Sequence, residues 1–144
     1  MVIVAAVDTT DRAADVLTEA VTLAERFQDE VHVIHVMSRS EAVQAEEESV
    51  SHDGGLSTRE LQERASRPAH ELIEGRSFPV EVTPIGRIGD PAAEIVSYAD
   101  SHDARYVVVS PRRKSQTGKI LFGSVAQSVL LEAECPVVSL VNAS

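Results

Sequence analysis

Five short runs rich in β-branched residues recur along the chain, separated by stretches of helical periodicity: Val2–Val7, Val31–Met37, Val80–Ile85, Tyr106–Val109 and Val137–Val141. This alternation constrains the fold more than any other feature. Parallel strands can be joined only by long crossovers, usually helical, so strand–helix alternation predicts a parallel sheet with right-handed connections. The first and fourth runs are almost continuously apolar, as expected of strands covered on both faces. The fold class is therefore α/β: a five-stranded, parallel, doubly wound sheet flanked by about four helices.

The connections carry helix signals of their own. Between the first two runs, Ala13, Leu17, Ala20, Val21, Ala24 and Phe27 form one apolar stripe. Asp90-Pro91 reads as an N-cap followed by proline at the first helical position, with Ala92, Ile95, Val96 and Ala99 behind it. Gly123-Ser124 opens the last helix, whose stripe is Val125, Ala126, Val129, Leu130 and Ala133. Ser57-Thr58-Arg59-Glu60 is a capping box, and the helix after it has a weak stripe of Leu61, Ala65, Ala69 and Leu72 ending near Gly75. Ser38–Gly55 is polar and acidic without a convincing period. It reads as a variable loop over residues 38–56, poorly ordered and with room for a helical fragment. With no repeats and no linker, the 144 residues form one domain.

Charge and composition exclude several function classes. Asp and Glu number 23 against 13 Lys and Arg, a net charge of −10. Such a chain repels phosphate backbones and anionic membranes, which excludes bulk nucleic-acid binding. Eleven arginines, two lysines and 3% aromatics fit a salt-rich cytoplasm, and equally an ordinary acidic bacterial protein. One cysteine forms no intramolecular disulfide, no apolar run approaches the ~20 residues of a membrane span, and Met1–Asp8 shows no leader pattern. The expected location is the cytoplasm.

Doubly wound sheets bind ligands beyond the carboxyl ends of their strands, where strand order reverses. The segments to search are Asp8, Met37–Arg39, Gly86–Asp90 and Ser110–Ser124. In the last, Arg112, Arg113, Lys114 and Lys119 place four cations within eight positions of an otherwise acidic chain. They precede a helix N-terminus with unpaired amides and a positive dipole end. Two readings stand: a phosphate site, or a solvated basic loop whose Ser124 merely caps a helix.

The segment Gly123-Ser124-Val125-Ala126-Gln127-Ser128-Val129-Leu130, with Cys135-Pro136-Val137-Val138 after it, resembles the C-terminal signature of the universal stress protein family. Val4-Ala5-Ala6-Val7-Asp8 is similar to that family's first strand and aspartate, Val33-Ile34-His35-Val36 to its second strand, and Gly89-Asp90-Pro91-Ala92 to the start of its third helix. The resemblance implies a Rossmann-like fold of the adenine nucleotide alpha hydrolase type. It also implies a homodimer formed through the last strand, Val137–Val141, where Pro136 enters an edge that wants covering.

Members of that family that bind ATP carry G-x2-G-x9-G-[S/T]. Registered on Gly123-Ser124, the two earlier glycines fall on Ser110 and Arg113. A Cβ at either place works against close backbone approach to phosphates, whereas Arg112, Arg113 and Lys114 offer side-chain charge instead. The resemblance implies that Asp8 contacts the adenosine, that Val36 lines the adenine pocket through its backbone, and that phosphates lie toward Ser110, Arg113, Gly123, Ser124 and Val125. Alternatively, Asp8 is a turn residue and Val36 core packing. The expected ligand is ATP or another adenine nucleotide with magnesium, bound by a dimeric stress-response module. The competing expectation is a nucleotide-free dimer that docks an unknown protein partner on its basic loop.

Sharper chemistries fail. A Walker loop needs glycine at Arg113 and Ser or Thr at Ile120. His32 and His35, three apart on a strand, face opposite sides and share no metal. His52, His70 and His102 lack ligand-spaced partners, Ser124 sits in no G-x-S-x-G elbow, and Cys135 reads as a small packing residue. S-G-G-x-D-S and H-I-G-H are absent from the chain. The expectation is a binding protein, with ATP hydrolysis a weaker third reading.

Overall fold

In a computed structural model of the chain, the residues described are 1–48, 57–110, 113–114, 120–121 and 123–140. β1 (Val2–Ala6), β2 (Glu30–Met37), β3 (Val82–Ile88), β4 (Ala104–Val109) and β7 (Val137–Ser139) form one parallel sheet in the order β3-β2-β1-β4-β7. The order reverses between β1 and β4. α1 (Arg12–Phe27) and α3 (Thr58–Ile73) cover one face, and α4 (Pro91–Ser101) and α5 (Ser124–Glu132) the other. The doubly wound α/β architecture is the one the periodicity predicts.

The two faces separate by strand parity. Ile3, Ala5, Val31, Val33 and Val108 meet Leu17, Ala20 and Ala24 of α1, while Val2, Val4, Ile34, Val107 and Val109 meet Ile95, Tyr98 and Val129. The predicted α1 stripe is buried except for Phe27, which is 42% exposed in the last turn and lies against Tyr106 and under the Arg105 guanidinium. Leu130 likewise falls outside the core.

Two expectations need correction. The expected third strand, Val80–Ile85, runs instead over Val82–Ile88, straight through Pro84 and Gly86. An edge position spares Pro84 the ladder bond its missing N–H cannot make. Gly86 is dictated by contact, because a Cβ there would lie 2.3 Å from the Gln62 carbonyl oxygen of α3 and 2.4 Å from the Ser66 nitrogen. Second, the helical fragment for which the expected 38–56 loop left room is a full helix, α2 (Arg39–Glu48), giving five helices among the described residues against about four expected; residues 49–56 lie outside those described. α2 buries only Ala42 and Ala45, against Leu61, Met37 and Ile88. Two alanines at i and i+3 make too faint a stripe to be seen as a period. Within the basic segment, β5 (Arg113–Lys114) and β6 (Ile120–Leu121) pair antiparallel.

Candidate functional site

A cavity of about 170 Å³ opens beyond the carboxyl ends of β1, β2 and β4, at the point where strand order reverses. β1 ends on Ala6, and the Val7 amide still donates to the Ile34 carbonyl (3.0 Å), so the chain enters the cavity wall at Asp8 held by the sheet. Asp8 Oδ1 accepts from the Thr10 amide (2.9 Å) and the Thr10 hydroxyl (2.6 Å). These bonds shape the turn into α1, the turn role expected of Asp8, and leave the residue on the cavity wall.

The other predicted positions divide into three groups. Val36, Ser110 and Val125 line the same cavity as Asp8. Gly123 and Ser124 stand at the start of the helix that carries Val125 there; Gly123, extended at φ −69 and ψ 161, is the N-cap, and Ser124 is the first helical residue. Gly123 supplies no side-chain cap, so a capping role for Ser124 is replaced by none. Arg113 and Lys114 sit in the β5 strand, and Arg112 lies outside the described residues.

Sequence reasoning passed over Thr9, Arg12, His35 and Glu41, all of which line the cavity. Arg12 is there because α1 starts where β1 stops. His35 faces α3, and its Nδ1 donates to the Ala65 carbonyl (2.7 Å), since a carbonyl only accepts. Glu41 arrives on α2 by a reciprocal cap: Ser38 Oγ accepts from the Glu41 amide (3.2 Å) and donates to Glu41 Oε1 (2.9 Å). Ser38-x-x-Glu41 is the same capping-box signature as Ser57-x-x-Glu60, where Ser57 Oγ likewise accepts from the Glu60 amide (3.2 Å) and donates to Glu60 Oε1 (3.1 Å). That pattern was the available signal for α2.

Outside the cavity, His32, His102 and Cys135 are engaged in structure. His32 bonds Tyr98 Oη (2.6 Å) and Glu30 Oε1 (2.7 Å) on the face opposite His35, as the strand spacing predicts. His102 stacks on Tyr98 at 3.9 Å. Cys135 packs against the α4/α5 core, and burial pushes its thiol up, away from the thiolate. Among the described residues, no group of three or more His, Cys, Asp or Glu side chains is placed to hold a metal, and no helix is long and apolar enough to cross a membrane.

Comparison with known proteins agrees with this fold. The model of the universal stress protein family matches residues 1–140. A universal stress protein of Methanocaldococcus jannaschii is 28% identical over 135 residues, covering 94% of this chain and 78% of that one. A universal stress protein structure from Archaeoglobus fulgidus superposes with a TM-score of 0.59 at 30% identity, covering 96% of each chain. A structure from the same organism, solved in complex with dAMP, is 26% identical with a TM-score of 0.53, covering 96% of this chain and 94% of that one. Sheet order, cavity position and a match along nearly the whole sequence lead to one assignment: the chain belongs to the universal stress protein family.

Proposed function

We propose that the chain binds an adenine nucleotide, ATP with magnesium being the expected form, as a stress-response module that works by ligand-controlled association rather than turnover. The observation that carries this reading is the convergence of Asp8, Val36, Ser110 and Val125 on one cavity at the strand-order reversal. Asp8 suits a ribose hydroxyl, the β2 end suits the base, and the α5 N-terminus opened by Gly123 and Ser124 suits phosphate. Arg112, Arg113 and Lys114 belong to the proposal as phosphate-side cations. The relative that holds dAMP supports adenine as the base.

Titration calorimetry with Mg-ATP, at low and at molar salt, tests the reading. Binding is expected, weakening as salt rises because exposed charge contacts are screened. Asp8→Ala is expected to abolish it while the fold melts normally. Absence of both heat and a ligand-induced melting shift would select the second reading, a nucleotide-free dimeric interaction module. Ser110 and Arg113 in place of glycines favour that alternative. In either case the proposed self-association runs through Val137–Val141. β7 is an edge strand bonded only to β4 among the described residues, and Leu131 of the preceding α5 is 79% exposed.

A further inference from the structure

This inference rests on the adenine-nucleotide reading and concerns how the phosphate is held. Three of the described cavity-lining side chains carry fixed charge: Asp8, Glu41 and Arg12. Arg12 is the cation of the three. A phosphoryl group entering a cavity walled by two carboxylates needs a donor of opposite charge. The glycines that would let it approach the backbone amides closely are Ser110 and Arg113 in this chain.

The charges also give the cavity a direction. Glu41 enters from the β2 side on α2, tied to Ser38, whereas Ser110 and Val125 stand on the β4 side. Phosphate is repelled from the first side, which leaves His35 and Val36 to the uncharged base. Arg12 opens α1, whose N-cap Asp11 makes no side-chain cap bond, so the positive dipole end adds to the guanidinium. The Nε atom of Arg12 is buried, and a contact made there is screened less than one made by a solvated loop cation.

We propose that Arg12 recognises the phosphoryl group nearest the ribose, its planar fork standing in for the close backbone approach that glycines at Ser110 and Arg113 would permit, while the loop cations face the phosphates beyond it. Every adenine nucleotide shares that phosphate, so the contact serves mono-, di- and triphosphates alike.

The test compares adenosine with AMP by titration calorimetry on the wild type, Arg12→Met and Arg12→Lys. The wild type is expected to bind AMP more tightly than adenosine. Arg12→Met keeps the aliphatic stem and should lose that increment, about 10- to 100-fold for a charge-assisted contact, with adenosine affinity unchanged. Arg12→Lys should retain part of it as a point charge without the fork. An unchanged AMP affinity in Arg12→Met overturns the assignment, as does an equal loss for adenosine and AMP. If the wild type binds adenosine but AMP no better, the adenine reading survives and Arg12 falls. If it binds neither, the adenine reading itself fails and takes Arg12 with it.

Discussion

Asp29 and Asp8 occupy opposite ends of the same sheet and show two uses of one side chain. At the amino end, Asp29 is 2% exposed, with Arg105 Nε at 2.6 Å from Oδ2 and the Met1 ammonium at 3.1 Å from Oδ1. The Arg105 hydrogen bond holds its carboxyl below the usual aspartate value, against the opposing effect of burial. Its charge is neutralised within the protein, and the result is stability. At the carboxyl end, Asp8 bonds the Thr10 amide and hydroxyl and still presents to a cavity shared with Arg12 and Glu41. Here the charges of Asp8, Arg12 and Glu41 line one cavity instead of being sealed within the protein. Helix starts at this end differ in the same way: Asp90 caps α4 by accepting from the Ala93 amide (3.0 Å) although Pro91 lines the cavity, whereas α1 and α5 carry no side-chain cap bond.

The strongest way to break the comparison is Asp29→Ala. It should cost about 2 kcal/mol by removing charge-assisted bonds, with nucleotide affinity unchanged; thermal melts and calorimetry on one sample decide both. The folded-state carboxyl titrates below its unfolded value of 3.8, so this stabilisation is complete above that pH and disappears as pH falls through the folded value. The wild-type and Asp29→Ala melting points should therefore stay apart at pH 5–7 and converge in strong acid. A gap that widened toward acid would refute the assigned direction.

A smaller effect, in binding rather than stability, is expected of Gly123→Asp. Supplying the missing cap to α5 engages its first-turn amides and sets a carboxylate beside the incoming phosphate. AMP affinity should drop about tenfold or more, with stability changed by only a few tenths of a kcal/mol. Unaltered affinity would mean that the α5 N-terminus takes no part. Smallest is Asp90→Ala, which removes an existing cap: about 1 kcal/mol, or roughly 2–4 °C in Tm, and no change in adenosine binding. Loss of adenosine binding there would show that structural and binding carboxylates are not separable at this end of the sheet.

Much of the architecture was legible because its signals are local. Asp90-Pro91 and Ser57-x-x-Glu60 announce helix starts through side-chain bonds made within three residues, and both caps form. β1 and β4 announce themselves by unbroken apolar runs. The full length of α2 went unread although its Ser38-x-x-Glu41 cap is local, whereas distant packing decided the other misreadings. The third strand was expected to end at Ile85, yet β3 continues through Gly86 to Ile88 at a sheet edge where α3 presses its backbone onto Gly86. Phe27 continues the α1 stripe in register but sits past the end of the layer it would pack beneath, on Arg105 and Tyr106.

The candidate site was half legible. Asp8, Val36, Ser110 and Val125 could be found because a parallel sheet sends every strand's carboxyl end to the same edge, so residues just after strands converge whatever their identity. Arg12 and His35 carry no motif, and Glu41 carries only the Ser38-x-x-Glu41 capping box, a helix-start signal that says nothing of a cavity. Arg12 reaches the cavity because α1 begins where it does, and Glu41 because a helix anchored by two alanines brings it there. The sequence by itself determined the strand–helix alternation, the helix caps and the edge of the sheet at which ligands are met, since each follows from periodicity or bonds between near neighbours. Only the tertiary structure decided which charges surround the cavity and which are spent within the protein. That choice depends on distances between residues far apart in the chain, and no local period encodes them.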